Sequence, residues 1–328
     1  MTMFFLQLLA DRHGKPAGLL LLAHHQPGEQ PGGQPGGQPH GPAQALLRLA
    51  TKTACFYRTE LAESFAAPLR QAGWHELPSG RTARADTALV GTLPGHVQWI
   101  EGDWALAPPK RPAGNGAASR ALALRLVQRV NADADTCEIE ELLRHDATLS
   151  YHLLRLVNSL GLVNGRKVLS FSQAILLLGR QQLRRWLNLM LFAARGDERS
   201  AVLLARVSVR ARLMELLARA TGLDRPHQEL AFMAGMFSLL GVLFGAPLAD
   251  VLAPLAIDDG VQRALLHRQG ELGALLALVE AAERAEFDTV CAALDRARLP
   301  ATEFNDMVVE ASDWMLAVTC GVTGGSHG

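Results

Sequence analysis

From Ser119 to about Thr319, leucine and alanine recur at three- and four-residue spacing, with few β-branched runs to turn the chain toward strands. That period puts apolar side chains on one face of successive helices, so this part of the chain must bury helix against helix and the fold is mainly α. Helix starts are legible within it: Asp135 with Glu138, and Ser170 with Gln173, have the spacing of capping boxes. Gly222 suits the end of a helix over Ala201 to Thr221, and Gly270 marks the next boundary. With 49% apolar residues the chain can fill a sizeable core.

Residues 1–106 read differently. "FFLQLL" and "GLLLLA" around the Asp11 to Gly14 turn predict a strand pair, Thr59 to Ala72 a helix, and "TALVGTL" and "HVQWIEGDWAL" short strands, together a small α+β domain. Within it, residues 24–44 repeat a Gln-Pro-Gly-Gly unit with almost nothing apolar, which predicts a disordered insert. His24, His25 and His40 fall there, and Gly and Pro give them no fixed geometry for a metal, so they are assigned no role. Pro and Gly mark residues 107–118 as a linker to the helical domain, 119–320, which ends in a flexible tail, 321–328.

Lysine plus arginine equals aspartate plus glutamate at 32 each, so net charge argues for neither nucleic acid nor an anionic membrane. The cysteines Cys55, Cys137, Cys291 and Cys320 form no CxxC pair, which fits a reducing, cytoplasmic compartment without a zinc site. The N-terminus lacks the features of a signal peptide. Leu230 to Ala249 is uncharged over a membrane-spanning length, but Gly235, Gly241, Gly245 and Pro247 interrupt it and no basic flank marks one side, so a buried core helix is expected rather than membrane insertion.

His145-Asp146 is the doublet that holds metal in HD phosphohydrolases. Such a site needs a further His upstream and a distant Asp, converging on metal that activates water. No histidine lies between Val97 and Arg144, and His96 follows Pro94-Gly95 in the other domain. Leu149, Leu153, Leu156, Val157 and Leu160 share one helical face that starts just after Asp146, which makes Asp146 an N-cap and His145 the end of the preceding helix. No metal or cofactor is expected on this reading.

"DATLSYHLLRLVNS", "VLSFSQAILLLGRQQLRRWLNLML" and "ELAFMAGMFSLLGVLFGAPLADVLAPLAI" resemble an HDOD domain, the HD-related output domain of EAL-HDOD signalling proteins, over about Ala118 to Asp313. The resemblance implies a helical bundle without the metal ligands of catalytic relatives, hence a regulatory module that is not an enzyme. The family's usual Asp-Pro is Asp146-Ala147 here, which leaves the cap intact. Asn158-Ser159 matches the family's Asn-Ser, with a structural role in bonding nearby backbone. "FFLQLLADRHGKPAGLLLLA" and "HVQWIEGDWALAPPK" are similar to the start and end of an EAL domain, the cyclic-di-GMP phosphodiesterase barrel. There the metal-binding Glu would fall near Leu20, and an eight-unit barrel takes about 200 residues or more, so the resemblance implies a truncated, degenerate remnant.

Leu142 to Arg195 carries Arg144, Arg155, Arg166, Lys167, Arg180, Arg184, Arg185 and Arg195 against one acid, Asp146. Either these bases pair with acids on neighbouring helices, or they form an anion-accepting face for an acidic partner protein or a nucleotide, centred on Arg180, Arg184 and Arg185. Trp186 matches a tryptophan common in EAL-HDOD proteins, and reads either as core or as part of that partner face. Nucleic acid is not expected, because no aromatic residues are interleaved for stacking. The expected function is non-catalytic signal transduction through binding of signalling proteins, in a cyclic-di-GMP or two-component network. The alternatives are a metal-dependent phosphohydrolase using His145-Asp146 and a non-catalytic nucleotide receptor.

Overall fold

The computed structural model describes residues 3–24, 42–87, 93–107, 128, 129, 135, 138, 185, 188, 199–253, 255 and 257–323. The N-terminal part is a six-stranded sheet with two helices: β1 (Met3–Asp11), β2 (Pro16–His24), α1 (Pro42–Ala50), β3 (Ala54–Tyr57), α2 (Glu63–Gln71), β4 (His75–Glu76), β5 (Thr82–Arg84) and β6 (Trp99–Glu101), in the order β4-β3-β2-β1-β6-β5. The β1–β2 hairpin forms where the apolar runs predict it, and Asp11 closes its turn by accepting from the His13 and Lys15 amides at 2.8 and 2.9 Å. β1 runs antiparallel to β2 and β6, whereas β2–β3, β3–β4 and β5–β6 pair in parallel.

This sheet is curled. Two strands separate β3 from β6, which in a flat sheet would hold them about 14 Å apart. Yet the rings of Phe56 on β3 and Trp99 on β6 meet edge to face at 4.8 Å, and Arg58 Nη2 donates to Glu101 Oε2 at 2.6 Å across the same gap. The concave side is filled by the buried side chains of Leu9, Leu20, Phe56 and Leu77.

Several expectations shift by a few residues for visible reasons. The helix expected over Thr59 to Ala72 starts only at Glu63, since a turn with Leu61 N bonded to Arg58 O at 3.0 Å takes the first residues. The expected insert 24–44 is shorter at both ends: His24 closes β2, and α1 begins at Pro42, its apolar positions Leu46 and Leu49 buried against the sheet side of the core. Strands β3, β4 and β5 are too short for periodicity to show. Most of "TALVGTL" and the linker residues after Ala107 lie outside the described residues.

The C-terminal part is helical: α3 (Ser200–Ala220), α4 (Arg225–Phe237), α5 (Leu240–Phe244), α6 (Leu248–Leu252), α7 (Asp259–His267), α8 (Gly270–Glu283), α9 (Phe287–Ala297) and α10 (Ala301–Thr323). Helix α3 sits at the centre and is buried on nearly every side, packing on α4, α8, α10 and β1. It ends where predicted, with Gly222 at φ +84° and Leu223 N bonded back to Ala218 O at 2.9 Å. Asp224 caps α4 by accepting from His227 N at 3.0 Å, and Asp258 caps α7 through Gly260 N at 2.7 Å. Residues 321–323, expected in the tail, continue α10. At the predicted cap of Asp135, Glu138 N bonds the Asp135 carbonyl at 3.0 Å, while the Glu138 carboxylate takes Arg129 at 2.8 Å.

The apolar run Arg225–Phe244 is long and apolar enough to cross a membrane, but it is broken into α4 and α5 and more than half of it is buried within the protein. Gly235 lets α4 pass close to α3, because a Cβ there would stand 2.6 Å from Ala211 Cα on α3. The sheet and the helices share one hydrophobic cluster, in which Phe4, Leu6, Leu19 and Tyr57 join Leu203, Val207, Phe304 and Val308. A buried Asn305 on α10 accepts from Phe4 N at 3.0 Å within that shared core.

Candidate functional site

Two clusters of buried charge flank α3. On one side Arg210 is 5% exposed and meets Glu283 of α8 in a bidentate pair, Nε to Oε1 at 2.8 Å and Nη2 to Oε2 at 2.6 Å. Its Nη1 donates to Ser238 Oγ at 2.8 Å, just past the end of α4. One turn earlier on α3, Arg206 reaches Glu283 Oε2 at 3.3 Å and Asp103 Oδ1 at 2.7 Å, the latter in the turn after β6. Glu280, one turn before Glu283 on α8, pairs with Arg268 at 2.7 and 2.9 Å.

Burial disfavours both charges of the Arg210–Glu283 pair, and their mutual attraction and hydrogen bonds outweigh it: the Glu283 carboxyl is held below its ordinary pKa and the Arg210 guanidinium above its own. This cluster joins the N-terminal sheet to α3 and α8. Arg199 adds a second tie, with its Nη1 donating to the carbonyls of Ala105, at 3.3 Å, and Ala107. At the surface, Lys52 beside α1 pairs with Asp313 of α10.

On the other side, Arg185 points inward. Its guanidinium donates to Glu229 Oε2 at 2.8 Å and Glu215 Oε1 at 2.6 Å, and lies 4.3 Å above the ring of Phe232. Burial works against this charge, and the bonds to Glu229 and Glu215 more than compensate, raising its pKa. Glu215 is shared with Arg212, which in turn reaches Glu310 on α10 at 2.6 Å. Asn188, three residues on, is fully buried with Nδ2 3.6 Å from Met233 Sδ.

The structure therefore places Arg185 among carboxylates of α3 and α4, the first of the two readings of the basic segment. Arg180, Arg184, Trp186, Asp146, His145, Asn158 and Ser159 lie outside the described residues. Among the described residues no three His, Cys, Asp or Glu side chains gather as metal ligands. Sequence reasoning missed Arg206, Arg210, Glu283 and Asp103. The signal for the two arginines was "LLARVSVRARLM", where Arg206 and Arg210 stand four residues apart in a helix with hardly any polar face.

A family model for the HDOD domain matches residues 119–249. This segment is an HDOD domain. Its described residues are α3 to α5, the first two residues of α6, and the isolated positions including Arg185 and Asn188. The chain is 32% identical over 179 residues to the Bacillus subtilis (strain 168) protein named "Uncharacterized protein YuxH", covering 54% of this chain and 43% of that one. It is 33% identical over 170 residues to the "Cyclic di-GMP phosphodiesterase CdgJ" of Vibrio cholerae, covering 52% of this chain and 39% of that one. The chain thus spans about two fifths of the length of these curated relatives. Among solved structures it is similar to a putative phosphohydrolase from Shewanella amazonensis SB2B, at a TM-score of 0.43 and 16% identity over 62% of this chain and 93% of that one. An HDOD domain protein from Geobacter sulfurreducens gives 0.39 and 16% over 62% and 90%. The HDOD match stops at Ala249, while α7 to α10 continue the same core beyond it.

Proposed function

We propose that this chain is a non-catalytic regulatory protein whose HDOD domain docks other signalling proteins, in a network that uses cyclic di-GMP or two-component signalling. The observation that carries the reading is the setting of Leu20. Where the EAL resemblance puts a metal-binding glutamate, Leu20 is fully buried in the concave side of the curled sheet, against Leu9, Phe56 and Leu77. An apolar pocket of that kind cannot coordinate a cation. Two further facts support the signalling context: an HDOD domain is present, and a relative sharing part of the chain is named a cyclic di-GMP phosphodiesterase. The N-terminal remnant would serve as a brace for the HDOD helices, through their common core.

The docking face on this reading includes Arg180 and Arg184, with Arg185 as its inward anchor on α3 and α4. Metal analysis of the purified chain, with hydrolysis assays on cyclic di-GMP and a generic phosphodiester in Mg²⁺ and Mn²⁺, tests it. No turnover is expected. Stoichiometric metal with turnover that is lost in Asp146→Asn would replace the proposal with a phosphohydrolase. Affinity capture from the native cell, compared between the unaltered chain and an Arg180→Glu/Arg184→Glu variant, then tests the face: a specific signalling protein should be retained by the first and lost by the second.

A further inference from the structure

The buried charges of α3 do more than cross-link helices, because they end at a discontinuity. Between α4 and α5 the helical path breaks at Ser238 and Leu239, with Leu239 at φ −105° and ψ 7°. Ser238 Oγ donates to the Gly235 carbonyl at 2.6 Å, a side-chain bond that competes with the backbone ladder at this point. Arg210 Nη1 donates to the same hydroxyl at 2.8 Å, so the hydroxyl proton is left to face Gly235 O. The direction of that hydroxyl therefore depends on where Arg210 is held.

Arg210 is held by both oxygens of Glu283, and Glu283 Oε2 is shared with Arg206. Arg206 is in turn drawn to Asp103, the one member of the series that is substantially exposed, at 40%. Two cations and two anions alternate along the path, from the turn after β6 to the break after α4. If Asp103 is lost, Arg206 has only Glu283 left in the series, and competes with Arg210 for Oε2. Glu280 offers Arg210 little relief, since it lies 3.8 Å away and already binds Arg268. In a buried, low-dielectric setting such linked bonds polarise one another and respond together.

We infer that Asp103, Arg206, Glu283, Arg210 and Ser238 form an ionic relay that sets the geometry of the α4–α5 break according to how the turn after β6 is seated. Asp103 is its solvent-facing input, and a cationic group of a partner that draws Asp103 away from Arg206 would loosen the HDOD helices at Ser238. Asp103 is a positioning residue here, acting through Arg206 and Glu283. The device concerns the coupling of the two parts of the chain and does not depend on the proposed docking role.

Hydrogen exchange on the full chain tests it. Asp103→Asn should speed exchange of the Ser238 and Leu243 amides, which bond Ala234 O and Leu239 O, by about tenfold, the size of a typical coupling between sites. Lys52→Met, which breaks the Lys52–Asp313 pair between the same two parts of the chain outside the relay, should leave those two amides unchanged. In a Ser238→Ala background, Asp103→Asn should add no further acceleration, and Asp103→Glu should restore the unaltered rates. Exchange at both amides within about twofold of the unaltered chain in Asp103→Asn, equal acceleration by Lys52→Met, or full additivity with Ser238→Ala would each overturn the relay.

Discussion

Arg185 and Arg210 each bury a guanidinium against glutamates, but the two clusters are wired differently. Around Arg210 one carboxylate, Glu283, is shared by two arginines, and only Arg206 has a second close one, Asp103, since Glu280 stands 3.8 Å from Arg210. Around Arg185 two carboxylates serve one arginine, and one of them, Glu215, has Arg212 in reserve. A buried ion pair costs most to break when the remaining charge has nowhere else to go. Sharing, more than burial alone, therefore ranks these residues by their consequence for the fold.

The largest effect should come from Glu283→Gln, which strands Arg210 and leaves Arg206 only Asp103. A loss of about 3–5 kcal/mol is expected in urea unfolding. The companion double variant Arg210→Met/Glu283→Leu should recover much of that loss, since an apolar pair of similar volume asks for no compensation. The same carboxylate carries a pH signature. Because the folded pKa of Glu283 lies below its ordinary value of 4.5, its contribution is complete above that pH and fades as pH falls through the folded value. Urea midpoints measured from pH 6 down to pH 3 should drop more steeply for the unaltered chain than for Glu283→Gln; parallel curves would remove Glu283 from the account.

Arg185→Met comes next, at about 2–3 kcal/mol, because Glu215 keeps Arg212 and only Glu229 loses its partner. Should it prove costlier than Glu283→Gln, the ranking by sharing is broken. Gly235→Ala tests the packing that holds both clusters in register: its methyl group would collide with Ala211 Cα, and thermal unfolding should report a loss of about 1–3 kcal/mol. The smallest effect has the opposite sign. Ala285 follows α8 and Glu283 with φ +57°, a left-handed position where glycine is unstrained, so Ala285→Gly should raise stability by about 0.5–1 kcal/mol.

Much of the helical part could be read directly from the residues. Leucine and alanine spacing gave α3 to within a residue at each end, and Gly222 gave its stop. The uncharged run from Leu230 was expected to be core, and more than half of the apolar stretch Arg225–Phe244 that overlaps it is buried within the protein. The β1–β2 hairpin was equally plain, because its two apolar runs flank a turn with Asp11 at its start. Strands of two to four residues, β3 to β6, carry too few positions for alternation to register, although "HVQWIEGDWAL" did signal β6. The charge sites were the least legible. The excess of base over Leu142 to Arg195 drew attention to Arg185, but its partners Glu215 and Glu229 lie on later helices, and nothing in the local spacing says which way a guanidinium will point.

The local sequence determined what each segment could be, because capping, turn chemistry and apolar period act over a few residues. That was enough for a mainly helical C-terminal part and a hairpin in the N-terminal part. Which segments meet was decided only by the tertiary structure. Phe56 against Trp99, Asn305 on Phe4, and Asp103 with Arg206 and Glu283 are contacts between residues distant in the chain, chosen by the curl of the sheet and the central burial of α3. An arginine can be stable in such a core only where the completed fold brings acceptors to it, carboxylates for Arg185 and Arg210 and carbonyls for Arg199, so the decisive charges of this protein acquire their meaning last.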